Sequence, residues 1–289
     1  MCSSSFRTDQ LKILDFLSLM AIHPSEAYGR LEGIADSRLE HFWVRSPKYR
    51  SYNLDAVAAG LHALLGVRLD QFLNEPALES IEERVRQRMQ SLPDNAPFSK
   101  SLNGDFALAR LCYAACRALR PQQIVETGVC YGVTTAFLLQ SLQENGSGQL
   151  NSIDLPPLGK KAHDFVGVLV PDELRARWTL HRGTSRMLLP RVLKRIGSVN
   201  IFIHDSLHTW RNIRRELDAV TPYLSGPALV LSDDIDANPA FRDWVERVHP
   251  AFWSVLEQET KSSLLGIAAF PESGSNRSQE KMESVTGSI

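Results

Sequence analysis

Five short stretches of this 289-residue chain place acids, histidines and small hydroxyl residues where an apolar run gives out: Glu126-Thr-Gly128, Asp154, Gly183-Thr-Ser185, His204-Asp-Ser-Leu-His208 and Ser232-Asp-Asp234. Each residue type suits a definite task. A carboxylate at Glu126 and another at Asp154 favour a cationic or hydroxyl-rich ligand over a phosphate. His208 titrates near neutrality in its ordinary state and, with Asp205, could take a proton from an attacking hydroxyl. Asp205, Asp233 and Asp234 are hard oxygen donors, the kind that hold Mg2+ while it keeps its waters and acidifies a bound hydroxyl. The competing reading of Asp233-Asp234 is a cap for the following segment, with Asp236 and Asn238 making turn hydrogen bonds.

The turn Glu126-Thr-Gly-Val-Cys-Tyr-Gly132 narrows the ligand further. Gly128 and Gly132 are expected to clear Cβ atoms from a surface where a ligand lies against the backbone. The N–H groups of the helix that opens there would face it. A dinucleotide fingerprint needs Gly-x-Gly-x-x-Gly, which this stretch lacks, and a phosphate loop needs Gly-Lys-Ser/Thr, which is also missing. An adenosine-containing ligand that carries positive charge and no phosphate fits better. Asp154 is then placed to accept hydrogen bonds from ribose hydroxyls.

Elements must bring these stretches together, and their pattern is readable. Asp105 to Leu119 has a helical apolar face, Pro121 stops it, and Ile124-Val125 begins a strand. From there strands and helices alternate: strands over 150–153, 178–181, 199–203 and 228–231, helices over 185–196, after Trp210 and over 239–248, then a closing pair over 252–256 and 264–270. Such alternation predicts a Rossmann-like α/β fold: a mostly parallel seven-stranded sheet with helices on both faces. Ligands in such sheets sit at the C-terminal ends of the strands, which is where the five stretches fall. Residues 1–98 read as a helical N-terminal region, 99–270 as the ligand-binding domain and 271–289 as a disordered tail. Tyr28, His41, Phe42, Trp43, Tyr49 and Tyr52 form an aromatic-rich run within the first region, suited either to a substrate cap or to ordinary packing.

Composition sets the outer bounds. Lys and Arg number 32 against 33 Asp and Glu, a net charge of -1 that argues against a nucleic-acid partner. The cysteines, Cys2, Cys112, Cys116 and Cys130, have no metal-binding spacing. No apolar run approaches the ~20 residues of a membrane span, and Met1 to Ser18 lacks the pattern of a secretory signal, so a cytoplasmic protein with no membrane partner is expected. The oligomeric state stays open, with room for a homo-oligomer.

Taken together, Val125-Glu-Thr-Gly-Val-Cys-Tyr-Gly132, Ser152-Ile-Asp154, Phe202-Ile-His-Asp-Ser-Leu-His-Thr-Trp210 and Leu231-Ser-Asp-Asp-Ile235 resemble a class I S-adenosylmethionine-dependent methyltransferase of the small-molecule branch, with Asp-x-x-His at the fourth strand. The resemblance spans 99–270. It implies that Glu126, Thr127, Gly128, Tyr131 and Gly132 line the methionine end of S-adenosyl-L-methionine, that Asp154 binds the ribose, and that Thr184 and Ser185 stand where relatives carry an acid near the adenine. Asp205 would touch the cofactor and, with His208, face the methyl-transfer site. Asp205, Asp233 and Asp234 would be the Mg2+ ligands. The implied activity is O-methylation of a small hydroxylated substrate; the alternatives are N-methylation of a small amine, or a cofactor-binding protein without transfer activity.

Overall fold

The order of the strands follows from which of them can be buried on both faces. The computed structural model describes residues 16–271 apart from 44, 100–103, 160–161 and 260, and not the side chains of His41 and Trp43. The expected tail over 272–289, Cys2 and Lys160-Lys161 lie outside the described residues. The helices are α1 (Pro24–Trp43), α2 (Leu54–Leu65), α3 (Pro76–Gln90), α4 (Phe106–Leu119), α5 (Val133–Asn145), α6 (Ser185–Ile196), α7 (Trp210–Val220) and α8 (Ala240–Val248). The strands are β1 (Gln123–Thr127), β2 (Gln149–Asp154), β3 (Trp178–Arg182), β4 (Val199–His204), β5 (Leu224–Ser232), β6 (Phe252–Glu257) and β7 (Leu264–Phe270).

They form one seven-stranded sheet in the order β3-β2-β1-β4-β5-β7-β6. β1 to β5 run parallel, and β7 enters antiparallel between β5 and β6. The mostly parallel α/β architecture expected from the alternation is the one that forms. β1 and β4, the central strands, bury Ile124, Val125, Ile201, Phe202 and Ile203 completely, as a sheet covered on both faces demands. One apolar layer holds α4 and α5 against the sheet through Leu108, Leu111, Phe137 and Leu138. The other holds α6, α7 and α8 through Leu193, Ile213, Leu217, Phe241 and Trp244.

β5 begins four residues earlier than its apolar run suggested. Val199 pairs with Leu224 and Ile201 with Leu229, so the strand bulges between these pairs, and Pro227, which has no N–H to give a ladder, sits inside the bulge. The first third of the chain divides. Val57, Leu61, Leu78, Ile81 and Val85 of α2 and α3 join the same apolar layer as α4 and α5, and Tyr52 extends the sheet by bridging to Leu256. Among the described apolar side chains of α1, Ala27 is the buried one. The described members of the aromatic run lie apart: Tyr28 and Phe42 are exposed, Tyr49 packs near α8 and Tyr52 beside β6. No described helix is long and apolar enough to cross a membrane.

Parallel order places the switch point between β1 and β4, where crossovers turn to opposite sides and a cleft opens at the strand ends. α4 is fixed beside that cleft by Asp105, a buried N-cap whose carboxylate accepts from the N–H groups of Ala107 at 2.8 Å and Glu259 at 3.1 Å. Replacing Asp105 with Ala should leave both donors without this acceptor and lower the unfolding free energy by about 2–3 kcal/mol. Urea titration of the Asp105→Ala protein checks this; a loss below about 0.5 kcal/mol would show that the cap is dispensable.

Candidate active site

Two chain crossings shape the cleft. The N–H of Asp205, the first residue past β4, donates to Thr127 O at 2.8 Å, and Gly128 N donates to Ile153 O at 2.8 Å. Gly128 (φ +86°) lies so close to β4 that a Cβ there would stand 1.8 Å from the carbonyl oxygen of Asp205. Gly132 (φ +93°) caps α5, and its Cβ would stand 2.8 Å from Gly167 Cα. Both glycines are therefore required by chain-on-chain packing.

Asp154, at the end of β2, accepts from the N–H groups of Val129 (2.8 Å) and Cys130 (3.1 Å) through Oδ2. It thereby fixes the turn it was expected to face. Among the described residues nothing bonds its other oxygen. Burial raises its pKa above the usual carboxylate range. Glu126 is fully enclosed and accepts from Thr135 Oγ1 (2.8 Å) and Ser152 Oγ (2.7 Å). Burial, with Asp205 and Asp154 nearby, pushes its carboxyl up to about 8 against those two hydrogen bonds. Thr127 turns its hydroxyl to Glu216, and Tyr131 is buried with its hydroxyl engaged by the backbone of Phe98 in both directions. Thr184 is the N-cap of α6, and its hydroxyl is buried without a hydrogen-bond partner; Ser185 lies beside Asn212.

A second polar cluster forms at the ends of β4 and β5. Ligand atoms of Asp205, His208 and Asp233 all lie within 4.8 Å of one another. The expected trio with Asp234 is not the one that converges among the described residues. Asp234 turns to His208 Nδ1 at 2.6 Å, while His208 Nε2 is buried, 3.6 Å from Asp205 and without a hydrogen bond. Burial opposes charge on His208, yet the carboxylates of Asp205 and Asp234 hold its pKa up at about 10. Asp233 is pushed up to about 7 by burial and by the Asp205 carboxylate. Burial also weighs on Asp234, but the hydrogen bond from His208 keeps it well below its ordinary value.

Several residues here escaped the sequence reading. Gln258 and Lys261, from the segment before β7, donate to Asp233, the lysine at 3.3 Å. Glu216 of α7 is buried and accepts from Thr127, Ser206 (2.9 Å), Asn212 (3.0 Å) and His204 Nδ1 (2.7 Å). Burial would raise its pKa, but the charge and hydrogen bond of His204 bring it down to about 2. A signal existed: Glu216 interrupts the apolar stripe Ile213, Leu217, Val220. α1 lies across the rim, with Gly29 against Thr184, Gly33 near Leu207 and Arg30 donating to Pro156 O at 2.7 Å. Glu40 accepts from Trp210 N at the start of α7.

Residues 125–235, which take in the end of β1, all of β2 to β5 and all five polar stretches, match a protein family described as a methyltransferase domain. Among curated proteins none matches this sequence. Among solved structures the chain is similar to the O-methyltransferase TomG of Streptomyces achromogenes in complex with SAM (17% identity, 75% of this chain and 96% of that one, TM-score 0.46). An O-methyltransferase of Bacillus cereus in complex with SAH is similar at 12% identity, over 74% of this chain and 97% of that one, with TM-score 0.48. The SAH-bound methyltransferase PaMTH1 of Podospora anserina gives 13%, 77%, 99% and 0.45 for the same quantities.

Glu126 supplies a pH test of this geometry. Its folded pKa lies above the unfolded one, so the contribution of Glu126 to stability is full below about pH 4.5 and is lost as pH rises through 8, by about 1.4 kcal/mol per unit inside that window. Glu126→Gln, neutral throughout, should remove most of that slope. Urea unfolding at pH 5 and pH 8 should show the wild type losing on the order of 2–4 kcal/mol more than the variant. Equal losses would mean that Glu126 does not titrate there.

Proposed function

We propose that this enzyme, whose residues 125–235 form a methyltransferase domain, transfers a methyl group from S-adenosylmethionine to an oxygen of a small hydroxylated molecule, using a divalent cation held by Asp205, His208 and Asp233. The observation that carries the reading is the convergence of those three side chains at the ends of β4 and β5, beside the Gly128 turn.

S-adenosylmethionine supplies an electrophilic methyl on a positively charged sulfur. A cleft bordered by Asp154 and Asp205 suits that charge and would repel a phosphate, and Glu126, held neutral up to about pH 8, lies beside them. In this reading Glu126, Thr127, Gly128, Tyr131 and Gly132 border the methionine end, Tyr131 and the glycines through their backbone. The unbonded oxygen of Asp154 takes a ribose hydroxyl. The partnerless hydroxyl of Thr184, with Ser185, faces the adenine. Asp205 lies between this half and the acceptor.

The donor set fits a cation. His208 aims a buried, unbonded Nε2 into the cluster while Nδ1 donates to Asp234, the carboxylate–imidazole–metal order in which an outer acid fixes the ligating tautomer. That assigns Asp234 a supporting place rather than a ligand's. Two carboxylates alone would suit Mg2+; the imidazole tilts the set toward Mn2+ or Zn2+. Such an ion would acidify and orient the acceptor hydroxyl. Gln258 and Lys261 hold the Asp233 carboxylate in place. The second reading is metal-free, with His208 and Asp205 moving the proton. One contact favours it: Lys261 already gives Asp233 a cationic neighbour. Against it, an imidazole held at about 10 must lose its Nε2 proton before it can act, a loss that a binding cation drives and a neutral hydroxyl does not.

Three measurements test the proposal. Calorimetry with S-adenosylmethionine should find Glu126→Ala and Asp154→Ala weaker by about tenfold or more, ~1.4 kcal/mol; unchanged affinity in both sinks the cofactor. Labelled methyl transfer to a panel of small phenols, catechols and amines should label oxygen acceptors. Labelled amines alone would mean N-methylation, and no labelled acceptor would favour a binding protein. EDTA should cut turnover at least about tenfold, with Mn2+ or Zn2+ restoring it. Indifference to EDTA would return the proton to His208 and Asp205.

A further inference from the structure

The carboxylate of Asp233 is fully buried, and both of its oxygens are already engaged. Gln258 donates to Oδ1 and the Lys261 ammonium to Oδ2, the lysine at 3.3 Å. The segment that carries these two donors does not reach the cluster loosely. Glu259, between them, gives its N–H to the Asp105 cap of α4 at 3.1 Å. Its carboxylate pairs with Arg110, which Glu82 of α3 holds at 2.7 Å. Two helices thus fix a cation at the acidic cluster. The Lys261 side chain is 20% exposed. Burial works against its charge, but Asp233, Asp205 and Asp234 together hold its pKa above the ordinary lysine value.

Carboxylates that converge need positive charge beside them whether or not an ion is bound. Protonated His208, between Asp205 and Asp234, supplies one such charge and Lys261, on Asp233, the other. An arriving divalent ion would treat the two differently. It drives the proton from His208 Nε2 and takes that nitrogen as a ligand. The ammonium of Lys261 keeps its charge and its tether. A unit charge against a ligand oxygen, in a site this buried, opposes a divalent ion by roughly tenfold in affinity or more. An oxygen of Asp233 must also share or release its present donor before it can face the ion.

We propose that Lys261 is a tethered competitor of the divalent ion: it neutralises the acidic cluster when no ion is bound and sets the affinity of that cluster for the ion low. The inference rests on the cation reading of Asp205, His208 and Asp233 given above. It separates Lys261 from Gln258, which steadies the same carboxylate without adding charge. It also opposes the plainer role. A group that only oriented Asp233 would strengthen the ion's hold, as hydrogen-bonded partners behind metal ligands do. The two roles therefore predict opposite signs when the charge is removed. A cluster restrained in this way takes up and releases its ion readily, so the ion would exchange with solvent instead of staying as a permanent part of the fold.

Titration of the full chain with Mn2+, followed by the electron paramagnetic resonance signal of the free ion near pH 8, reads this affinity without substrate or turnover. Lys261→Met should bind Mn2+ at least about tenfold more tightly than the wild type. Lys261→Arg, which keeps the charge, and Gln258→Leu, which removes a donor but no charge, should show no such gain. If Lys261→Met does not fold by circular dichroism, Lys261→Gln carries the same comparison. Equal or weaker binding once the charge is gone overturns the inference and leaves the lysine as a support for Asp233; a gain shared by Lys261→Arg overturns it as well. Binding by the wild type that disappears in Asp205→Asn assigns the ion to the cluster. Mn2+ held by none of these proteins would remove the cation reading itself, and the inference with it.

Discussion

The close approach of the β1 turn to the end of β4 is the constraint on which the rest of the structure depends. Thr127 pairs with His204, and the next residues on each strand, Gly128 and Asp205, touch backbone to backbone with no room for a Cβ. Contact of that kind gathers the carboxylates of Glu126, Asp154 and Asp205 into one small volume. Like charges so placed cannot all remain ionised without help. The protein answers each differently: Glu126 holds its proton, Asp154 takes two backbone N–H groups, and Asp205 sits beside the charged imidazole of His208.

Behind this cleft lies a second buried charge with the opposite treatment. Glu216 is kept ionised by donors from β1, β4, the loop after β4 and its own helix. A buried carboxylate is tolerable when every lone pair is occupied and costly when one is not. That requirement makes the network a pin. Moving α7 or the Ser206–His208 loop would strip partners from Glu216, so the path of the loop that carries His208 is set from behind by an ion that does not face the cleft.

What was legible in the sequence was whatever depends on periodicity and on strand ends. Seven strands, their helices and the five polar stretches could be read because a doubly covered parallel sheet forces long apolar runs and leaves polar residues only at its edges. Gly128 and Gly132 were read as room for a ligand, and the backbone packed against them was not legible, since sequence shows that a Cβ is absent but not what occupies its place. Asp234 and His208 exchanged places in the acidic cluster because adjacent carboxylates on a turn point in different directions, and only geometry says which one faces inward. Lys261 and Gln258 were invisible: they reach Asp233 from a loop 25 to 28 residues downstream, with no spacing rule to announce them.

In the first third of the chain an electrostatic match sets the orientation of α1. The surface beneath it is the basic rim made by Arg186, Arg211 and Arg215 with the open N-terminus of α7, so the face with Glu32, Asp36 and Glu40 is drawn inward and Leu31 and Leu39 are left exposed. Most of these contacts are partly solvated ion pairs, each contributing ~0–1 kcal/mol and weakened by salt. Among the described residues, Ala27 and the close fit of Gly29 and Gly33 add packing. A cover held largely by such ion pairs answers to salt more than the apolar layers behind it do, so ionic strength bears on access to Thr184 and Leu207.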